Sequence, residues 1–187
     1  AKSLSTSARR DGDSYVLNGS KRFISNAPIA GLFTVMARTD PDDKSAAGVS
    51  AFLVEAGTAG IHIDPPLEKM GQLAAPTADV TFTDCRIPGD ALLGATEGTG
   101  FITAMKVLDD ARIHMGAVSV GLATRLVEEM TAYAVERRQF GKPIADFQLI
   151  QAMIADSEAE CIAARAMVEQ TARQMDAGEN VTKAAAA

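Results

Sequence analysis

The sequence is poor in the residues that build disulfide frameworks, metal sites and membrane spans. Its 187 residues include only two cysteines, Cys85 and Cys161, and these have no CxxC spacing. Neither a disulfide scaffold nor a structural zinc site is therefore indicated. The two histidines, His62 and His114, lack the HExxH spacing of zinc hydrolases. No apolar run approaches the roughly 20 residues that a membrane helix needs, so we expect no membrane span.

Several catalytic motifs and a basic charge balance are missing as well. The sequence has no GxSxG, GxxxxGK[ST] or GxGxxG motif, which removes the simplest serine hydrolase, P-loop and Rossmann interpretations. Its 18 Lys and Arg against 24 Asp and Glu give a net charge of −6. This balance argues against a nucleic-acid partner, because affinity for phosphates comes from clustered cations. Any bound phosphate must therefore meet a local basic cluster.

Residues 1 to about 93 carry the patterns of β-strands. Asp11-Gly12 and Asn18-Gly19 are dipeptides that favour tight hairpin turns, and they flank a short run at residues 14–17. Further apolar or alternating runs follow at residues 32–37, 49–54 and 80–82. The spacing predicts a small antiparallel domain, barrel-like or sandwich-like, over residues 1–93.

Residues 94–187 carry helical patterns instead. One stripe with steps of three or four predicts a helix to about Arg137, and Gly141 and Pro143 are expected to stop it. Asp146 is a candidate N-cap for a second helix. The two stripes are Phe101, Met105, Leu108, Leu122, Leu126 and Met130, then Phe147, Ile150, Ile154, Cys161, Ala164, Val168 and Met175. The predicted class is α+β, a barrel-like antiparallel domain followed by long antiparallel helices. Two helices alone leave apolar surface uncovered, so other helices or another subunit are expected to cover it.

Three local clusters carry side chains capable of binding chemistry. Residues 136–143 place three cations at a helix end, where they would either complement the helix dipole, for about 0.3–1 kcal/mol each, or bind an anion. Phe23 and Ser25 lie two residues apart, so they share one face of an extended strand; they form either a stacking site for a planar ring or an ordinary strand end. Residues 109–112 hold two aspartates and an arginine, for which residue chemistry alone favours a solvated charged face over a binding cluster.

Seven stretches, in order, give these clusters a family context. They are DGDSYVLNGSKRFISNA, GVSAFLVE, GIHIDPPLEKMG, VTFTDCRIP, LLGATEGTGF, LDDAR and ERRQFGKPIADFQLIQ. Together they resemble the acyl-CoA dehydrogenase family. The resemblance implies a flavoenzyme with an N-terminal helical domain, a middle β-barrel domain and a C-terminal four-helix domain. We therefore expect a fragment, with the middle domain at residues 1–93 and an incomplete four-helix domain at residues 94–187.

The resemblance also implies roles for individual residues. Phe23, Ile24 and Ser25 match the segment that packs against the isoalloxazine of FAD and donates a hydrogen bond near flavin N5. Arg137, Gln139 and Phe140 match residues that reach the FAD of a neighbouring subunit, Arg137 toward the diphosphate, and Gln148 matches another FAD contact. A charge-assisted contact of this kind, worth about 1.5–3 kcal/mol, exceeds the dipole contribution, so the resemblance favours the anion site. Asp109 and Arg112 match residues that line the acyl-CoA cleft.

No catalytic residue is assigned within the chain. One branch of the family carries its catalytic glutamate where this sequence has Ala111, and in the other branches the glutamate comes from a later helix. The implied reaction is α,β-dehydrogenation of an acyl-CoA thioester with hydride transfer to flavin N5. The implied partners are an electron-transferring flavoprotein and further copies of the chain, as a dimer or tetramer, in the bacterial cytoplasm or the mitochondrial matrix. The alternatives are an acyl-CoA oxidase, a nitroalkane oxidase-like flavoprotein and a non-catalytic interaction module.

Overall fold

A computed structural model of the chain describes residues 4–186. These residues form two compact units, the first ending at Met105 and the second beginning at Lys106. The first unit is built on a β-sheet and the second on helices, which confirms the predicted α+β class. Within the described residues, no helix is long and apolar enough to cross a membrane.

The first unit contains one six-stranded sheet. Its strands are β1 Ser7–Asp11, β2 Ser14–Ser25, β3 Leu32–Arg38, β4 Val49–Glu55, β5 Ile61–Ile63 and β6 Thr77–Pro88, arranged in the order β4-β3-β1-β2-β6-β5. Neighbouring strands are antiparallel, except that β1 meets β3 in parallel at a single pair, Ser7 and Arg38. The sheet stays open, so the predicted barrel closure is not found in the described residues. Strand β5 has only three residues and is soon followed by Pro65-Pro66, and proline cannot donate to a further strand.

One of the two predicted hairpin turns is confirmed and the other is wrong. Asp11 pairs with Ser14 around a turn in which Gly12 has φ +63°. Asn18-Gly19, by contrast, lies inside β2, where the pairing with β6 shifts between Leu17 and Gly19. Gly19 has φ +134°, and a Cβ there would lie 2.7 Å from the Thr6 Cα. The glycine therefore serves a β-bulge and a close backbone approach, two uses that resemble a turn signal in sequence.

The core of the first unit lies on one face of this sheet. Tyr15 and Phe52 are both buried and meet edge to face, with ring centroids 4.9 Å apart. Cys85 is fully buried in the same cluster, and burial raises the pKa of its thiol. This cysteine therefore acts as a small core hydrophobe. The remaining members of the cluster include Leu17, Val35, Ala37, Val54, Ala78, Val80, Phe82 and Ile87.

The two long helices confirm the predicted helix pair, but the connection between them differs from the prediction. Helix α1, Gly100–Glu136, ends five residues before Gly141, and a small hairpin of β7 Arg138–Gln139 and β8 Lys142–Pro143 follows it. Helix α2, Gln148–Asp176, is not capped by Asp146, which lies in a 3₁₀ turn, Ile144–Asp146. Its N-cap is Phe147, whose extended backbone lets its carbonyl accept the first helical hydrogen bond, from the Ile150 N–H. A short turn, α3 Thr182–Ala185, follows.

Helices α1 and α2 meet along a seam with a seven-residue repeat. On α1 the buried residues recur every seven positions, at Ile113, Val120, Val127 and Ala134, as in coiled-coil packing. On α2 the predicted stripe from Ile150 to Met175 is the covered face. Of the predicted α1 stripe, Leu108, Leu122 and Leu126 are exposed. Apolar surface therefore remains uncovered on the pair, as predicted.

Candidate functional site

The first candidate segment, residues 22–25, forms the end of strand β2; we call it the Phe23 segment. The Phe23 side chain is 63% exposed, and its φ of +57° lies in the left-handed region. Regular strand alternation is broken here, because the pairing of β2 with β6 shifts between Lys21 and Ile24. Ile24 packs against the core, while Ser25 is exposed. Within the described residues the Ser25 hydroxyl forms no hydrogen bond, so it is available to a ligand.

An aspartate on the neighbouring strand holds this segment. Asp79 Oδ1 accepts a 2.9 Å hydrogen bond from the Phe23 backbone N–H, and Oδ2 accepts a 3.0 Å bond from Arg22 Nε. The Phe23 N–H, followed by the Arg22 side chain, lowers the pKa of Asp79 below its ordinary value. A left-handed backbone costs a residue with a Cβ about 1–2 kcal/mol, so these contacts offset real strain. Sequence reasoning missed Asp79, because only the strand register brings it to Phe23.

A cavity of about 240 Å³ lies beside the Phe23 segment within the first unit. Its one charged group is Lys21, whose Nζ donates a 2.7 Å hydrogen bond to the Met36 carbonyl. Burial lowers the pKa of Lys21. The hydrogen bond links β2 to β3, two strands that do not pair in the sheet. The cavity walls are otherwise mostly apolar and come from Ile24, Phe33, Thr34, Val35, Met36, Val80 and Phe82.

The second candidate segment, residues 137–148, connects the two long helices; we call it the hairpin segment. Phe140 and Gly141 form its two-residue turn, with φ values of +52° and +82°. Turns of this kind usually carry Asn-Gly, because both positions need left-handed backbone. Phe140 instead places a ring there that is 93% exposed, with its centroid 6.2 Å from that of Phe147. The turn therefore holds Phe140 in a strained backbone conformation in which its aromatic side chain is exposed.

Three polar side chains of the hairpin segment are uncommitted in residues 4–186, whereas Lys142 donates to the Asp146 carbonyl and lies over the Phe147 ring. Arg137 is anchored through its backbone, which donates to the Tyr133 carbonyl and accepts from the Ile144 N–H, both at 2.8 Å. Its guanidinium is exposed, as are the side-chain amides of Gln139 and Gln148. In the part of the chain that the structure describes, none of these three side chains forms a hydrogen bond or an ion pair. One cation and two amides are therefore free to contact an anionic, polar ligand.

The two predicted cofactor-binding aromatic residues share an unusual backbone. Phe23 and Phe140 both have φ near +55°, and both rings are largely exposed. Non-glycine residues in the left-handed region are uncommon, and such strained residues cluster at functional sites. Exposed aromatic rings held at that cost are poorly explained by stability alone. The observation therefore supports a binding role for each ring.

The predicted substrate residues Asp109 and Arg112 are brought together on α1. Arg112 Nη1 lies 2.9 Å from Asp109 Oδ1, and the Thr182 hydroxyl donates a 2.7 Å hydrogen bond to Asp109 Oδ2. Both carboxylate oxygens of Asp109 are thus occupied, which makes it a poor candidate for a base. Thr182 gave no sequence signal, because it lies 73 residues away along the chain. Across residues 4–186, no cluster of three His, Cys, Asp or Glu side chains could hold a metal ion.

Comparison with known proteins gives one consistent result. The chain is 42% identical over 179 residues to a probable acyl-CoA dehydrogenase, FadE25, of Mycobacterium tuberculosis. The matched region covers 96% of the chain and 46% of that relative. It is 40% identical over 182 residues to the caffeyl-CoA reductase-Etf complex subunit CarC of Acetobacterium woodii, with coverage of 97% and 48%. The structure of butyryl-CoA dehydrogenase from Megasphaera elsdenii matches with a TM-score of 0.93 and 36% identity, over 99% of this chain and 48% of that one.

The chain thus spans about half the length of the relatives it matches. Two family models account for most of its residues. The acyl-CoA dehydrogenase middle domain matches residues 1–85, and the acyl-CoA dehydrogenase C-terminal domain matches residues 98–187. The motifs, the order of sheet and helices, and these matches agree, and the chain belongs to the acyl-CoA dehydrogenase family.

Proposed function

We propose that the complete protein is an FAD-dependent acyl-CoA dehydrogenase, which oxidises the α,β bond of an acyl-CoA thioester. The observation that carries this proposal is the pair of exposed phenyl rings, Phe23 and Phe140, each held in left-handed backbone. Each ring lies in a segment that also carries polar groups without a partner in residues 4–186, namely the Ser25 hydroxyl near Phe23 and the side chains of Arg137 and Gln139 near Phe140. A planar, polyanionic cofactor needs such surfaces: aromatic faces for its ring system and free donors for its diphosphate.

The Phe23 segment is proposed to form the wall against the flavin ring. Phe23 would stack on the isoalloxazine and exclude water from it. Ser25 would donate its free hydroxyl near flavin N5. Ile24 packs into the core, so its contribution would be to fix the segment and to present its backbone. The bound FAD would supply the hydride-accepting chemistry of the reaction.

The hairpin segment is proposed to contact the FAD of a neighbouring subunit in a homodimer or tetramer. Arg137 would neutralise part of the diphosphate charge, because its guanidinium has no carboxylate partner in residues 4–186. Gln139 and Gln148 would add hydrogen bonds, and Phe140 would cover part of the cofactor. A single charge-assisted contact of this kind is worth about 1.5–3 kcal/mol.

Two residues of this chain are proposed to line the substrate cleft. Asp109 and Arg112 would line the acyl-CoA cleft as a fixed ion pair, since each already engages the other. The base that removes the α-proton would lie outside this chain, because the family position within it is Ala111 and Asp109 is committed. The protein's task in the cleft is then to orient the thioester and exclude water.

The reverse reaction is a second candidate, favoured by the 40% identity to a caffeyl-CoA reductase subunit. Reduction of an enoyl-CoA would use the same residues and the same cofactor, with electrons flowing in the opposite direction. The name of that relative also includes an Etf complex, which supports an electron-transferring flavoprotein as the redox partner here. Acyl-CoA oxidase and nitroalkane oxidase-like activities would use oxygen instead.

The test begins with the purified complete protein. A dehydrogenase should be yellow, and anaerobic addition of a saturated acyl-CoA should bleach its flavin absorbance. Reoxidation should be slow in air and fast with electron-transferring flavoprotein, whereas an oxidase would reoxidise rapidly in air. Bleaching by the reduced partner followed by recovery with an enoyl-CoA would indicate the reductase direction. A colourless protein that binds no FAD would contradict the proposal and favour an interaction module.

A further inference from the structure

We propose that Asp79 is a positioning residue for the flavin wall. By accepting hydrogen bonds from the Phe23 N–H and from Arg22 Nε, it would fix the Phe23 ring in the outward-facing conformation that stacks on the cofactor. The inference rests on the proposed function for the identity of the planar ligand. The contacts that carry it lie entirely within the first unit.

The strand register explains why a side chain is needed at this point. Strand β2 pairs with β6 through Lys21 opposite Val80 and through Ile24 opposite Ala78. Between those pairs β2 has two residues where β6 has one. Those residues are Arg22 and Phe23. Asp79 is the one residue of β6 between the two paired positions. In the irregular ladder the Phe23 N–H donates to the Asp79 carboxylate instead of to a backbone carbonyl of β6.

Arg22 completes the arrangement. Its guanidinium carbon lies 4.9 Å from the centroid of the Phe23 ring, while Nε is bound by Asp79. The guanidinium therefore covers part of one face of the ring and is itself held in place by the carboxylate. The ring remains 63% exposed, which leaves surface for a planar ligand. One carboxylate thus controls both the backbone and the stacking partner of Phe23.

A purely structural role fits these contacts poorly. The Arg22 side chain is 70% exposed and that of Asp79 is 24% exposed, and neither belongs to the hydrophobic core. Because the arginine is largely exposed, solvent screens this ion pair and it adds little to folding stability. Removing the carboxylate should instead free Phe23 to leave the left-handed region, because the strained conformation loses its main acceptor. We therefore expect removal of the carboxylate to change FAD affinity more than folding stability.

The experiment compares three variants of the complete protein. Asp79→Ala removes both acceptors, and Asp79→Asn keeps one oxygen that can accept from the Phe23 N–H. Asp11→Ala is the matched control, because Asp11 forms an exposed ion pair with Arg86 in the same sheet and does not contact the Phe23 segment. The readouts are the FAD dissociation constant, the visible flavin spectrum, and hydrogen exchange of the peptide that contains residues 22–25.

Asp79→Ala is expected to weaken FAD binding about ten-fold, equivalent to about 1.4 kcal/mol, to shift the flavin spectrum and to speed exchange at residues 22–25. Asp79→Asn should recover most of the affinity, and Asp11→Ala should match the wild type in all three readouts. In a Phe23→Gly background, Asp79→Ala should have no further effect on FAD affinity, because the ring it positions is gone.

Two failures can be told apart. If the wild type binds FAD and Asp79→Ala has the same affinity and flavin spectrum, this inference is overturned and the proposed function stands. If the wild type binds no FAD, the proposed function is overturned and the inference with it. If Asp79→Ala does not fold, Asp79→Val replaces it, because a β-branched residue suits a strand and also removes both acceptors. Faster exchange at residues 22–25 with weaker FAD binding by Asp79→Val supports positioning, and wild-type values of both overturn it.

Discussion

Gly116 of helix α1 lies directly against Val168 of helix α2. A Cβ built on Gly116 would be 3.0 Å from Val168 Cγ2, closer than ordinary van der Waals contact. Nearby, Arg165 of α2 donates a 3.1 Å hydrogen bond to the Thr124 hydroxyl of α1. The absence of a side chain at position 116 is thus what lets the two helices approach at this level of the seam.

Gly116→Ala is expected to be less favourable for stability than the same substitution at Gly121. Alanine in a helix interior gains up to about 1 kcal/mol over glycine, and at Gly121, where nothing lies within 4 Å, that gain should appear. At Gly116 the crowding of Val168 should offset or exceed it, since overpacking costs about 1–3 kcal/mol. Urea unfolding of both variants measures the difference. A Gly116→Ala variant as stable as Gly121→Ala would contradict the packing described here, and adding Val168→Ala should relieve the crowding.

Gly19→Ala should destabilise the first unit by about 2–5 kcal/mol, the sum of the strain of a positive φ and of overpacking. The new methyl group would meet the Thr6 backbone at 2.7 Å, and backbone cannot move aside as a side chain can. Gly31→Ala is the control, because nothing lies within 4 Å of it and its φ is not positive. Thermal unfolding should place the control within about 0.5 kcal/mol of the wild type. Equal stability of the two variants would show that the bulge tolerates a side chain.

Arg137→Ala should weaken FAD binding by about 10- to 100-fold, the equivalent of one charge-assisted contact. The complete protein should then release FAD on dilution, which flavin fluorescence in the filtrate measures. Arg125→Ala is the matched control, because Arg125 is an exposed arginine of helix α1 that is already paired with Glu128 and Glu129. Unchanged flavin retention by Arg137→Ala would count against the proposed contact with the diphosphate.

The stabilising contribution of Asp79 should depend on pH in a defined direction. Its contacts with Phe23 and Arg22 lower the folded-state pKa below the ordinary value of 3.8. The contribution is therefore complete above about pH 5 and is lost as the pH falls through the folded-state pKa. The difference in unfolding free energy between wild type and Asp79→Ala should be equal at pH 7 and pH 5, and smaller at pH 3 and below. A difference that grows on acidification would contradict the lowered folded-state pKa of Asp79.

Asp110→Asn should leave the rate of α-proton removal within about ten-fold of the wild type. Removal of a true general base typically costs 10²- to 10⁴-fold, and the proposed base lies outside this chain. The measurement is the rate of flavin reduction by acyl-CoA in the complete protein, together with exchange of the α-proton in D₂O. A thousand-fold loss in both would identify Asp110 as the base and would overturn the assignment.

The secondary structure was largely predictable from local patterns. Strands β3 and β4 and both long helices follow from runs at residues 32–37 and 49–54 and from three- and four-residue periodicity, because burying one face imposes its period on the sequence. Errors occurred where one signal has two physical uses. Asn18-Gly19 marks a bulge rather than a hairpin, and Gly141 belongs to a hairpin turn rather than to a helix stop.

The sequence alone determined which residues are aromatic, cationic or hydroxylic in each candidate segment, and through seven ordered motifs it determined the family. Tertiary structure decided the rest. That Phe23 and Phe140 adopt left-handed backbone, and that Asp79 holds Phe23 from 56 residues away along the chain, depends on strand register and turn closure. Local composition does not encode these, because a carboxylate contacts whichever amide the fold brings within 3 Å of it, whatever their separation in sequence.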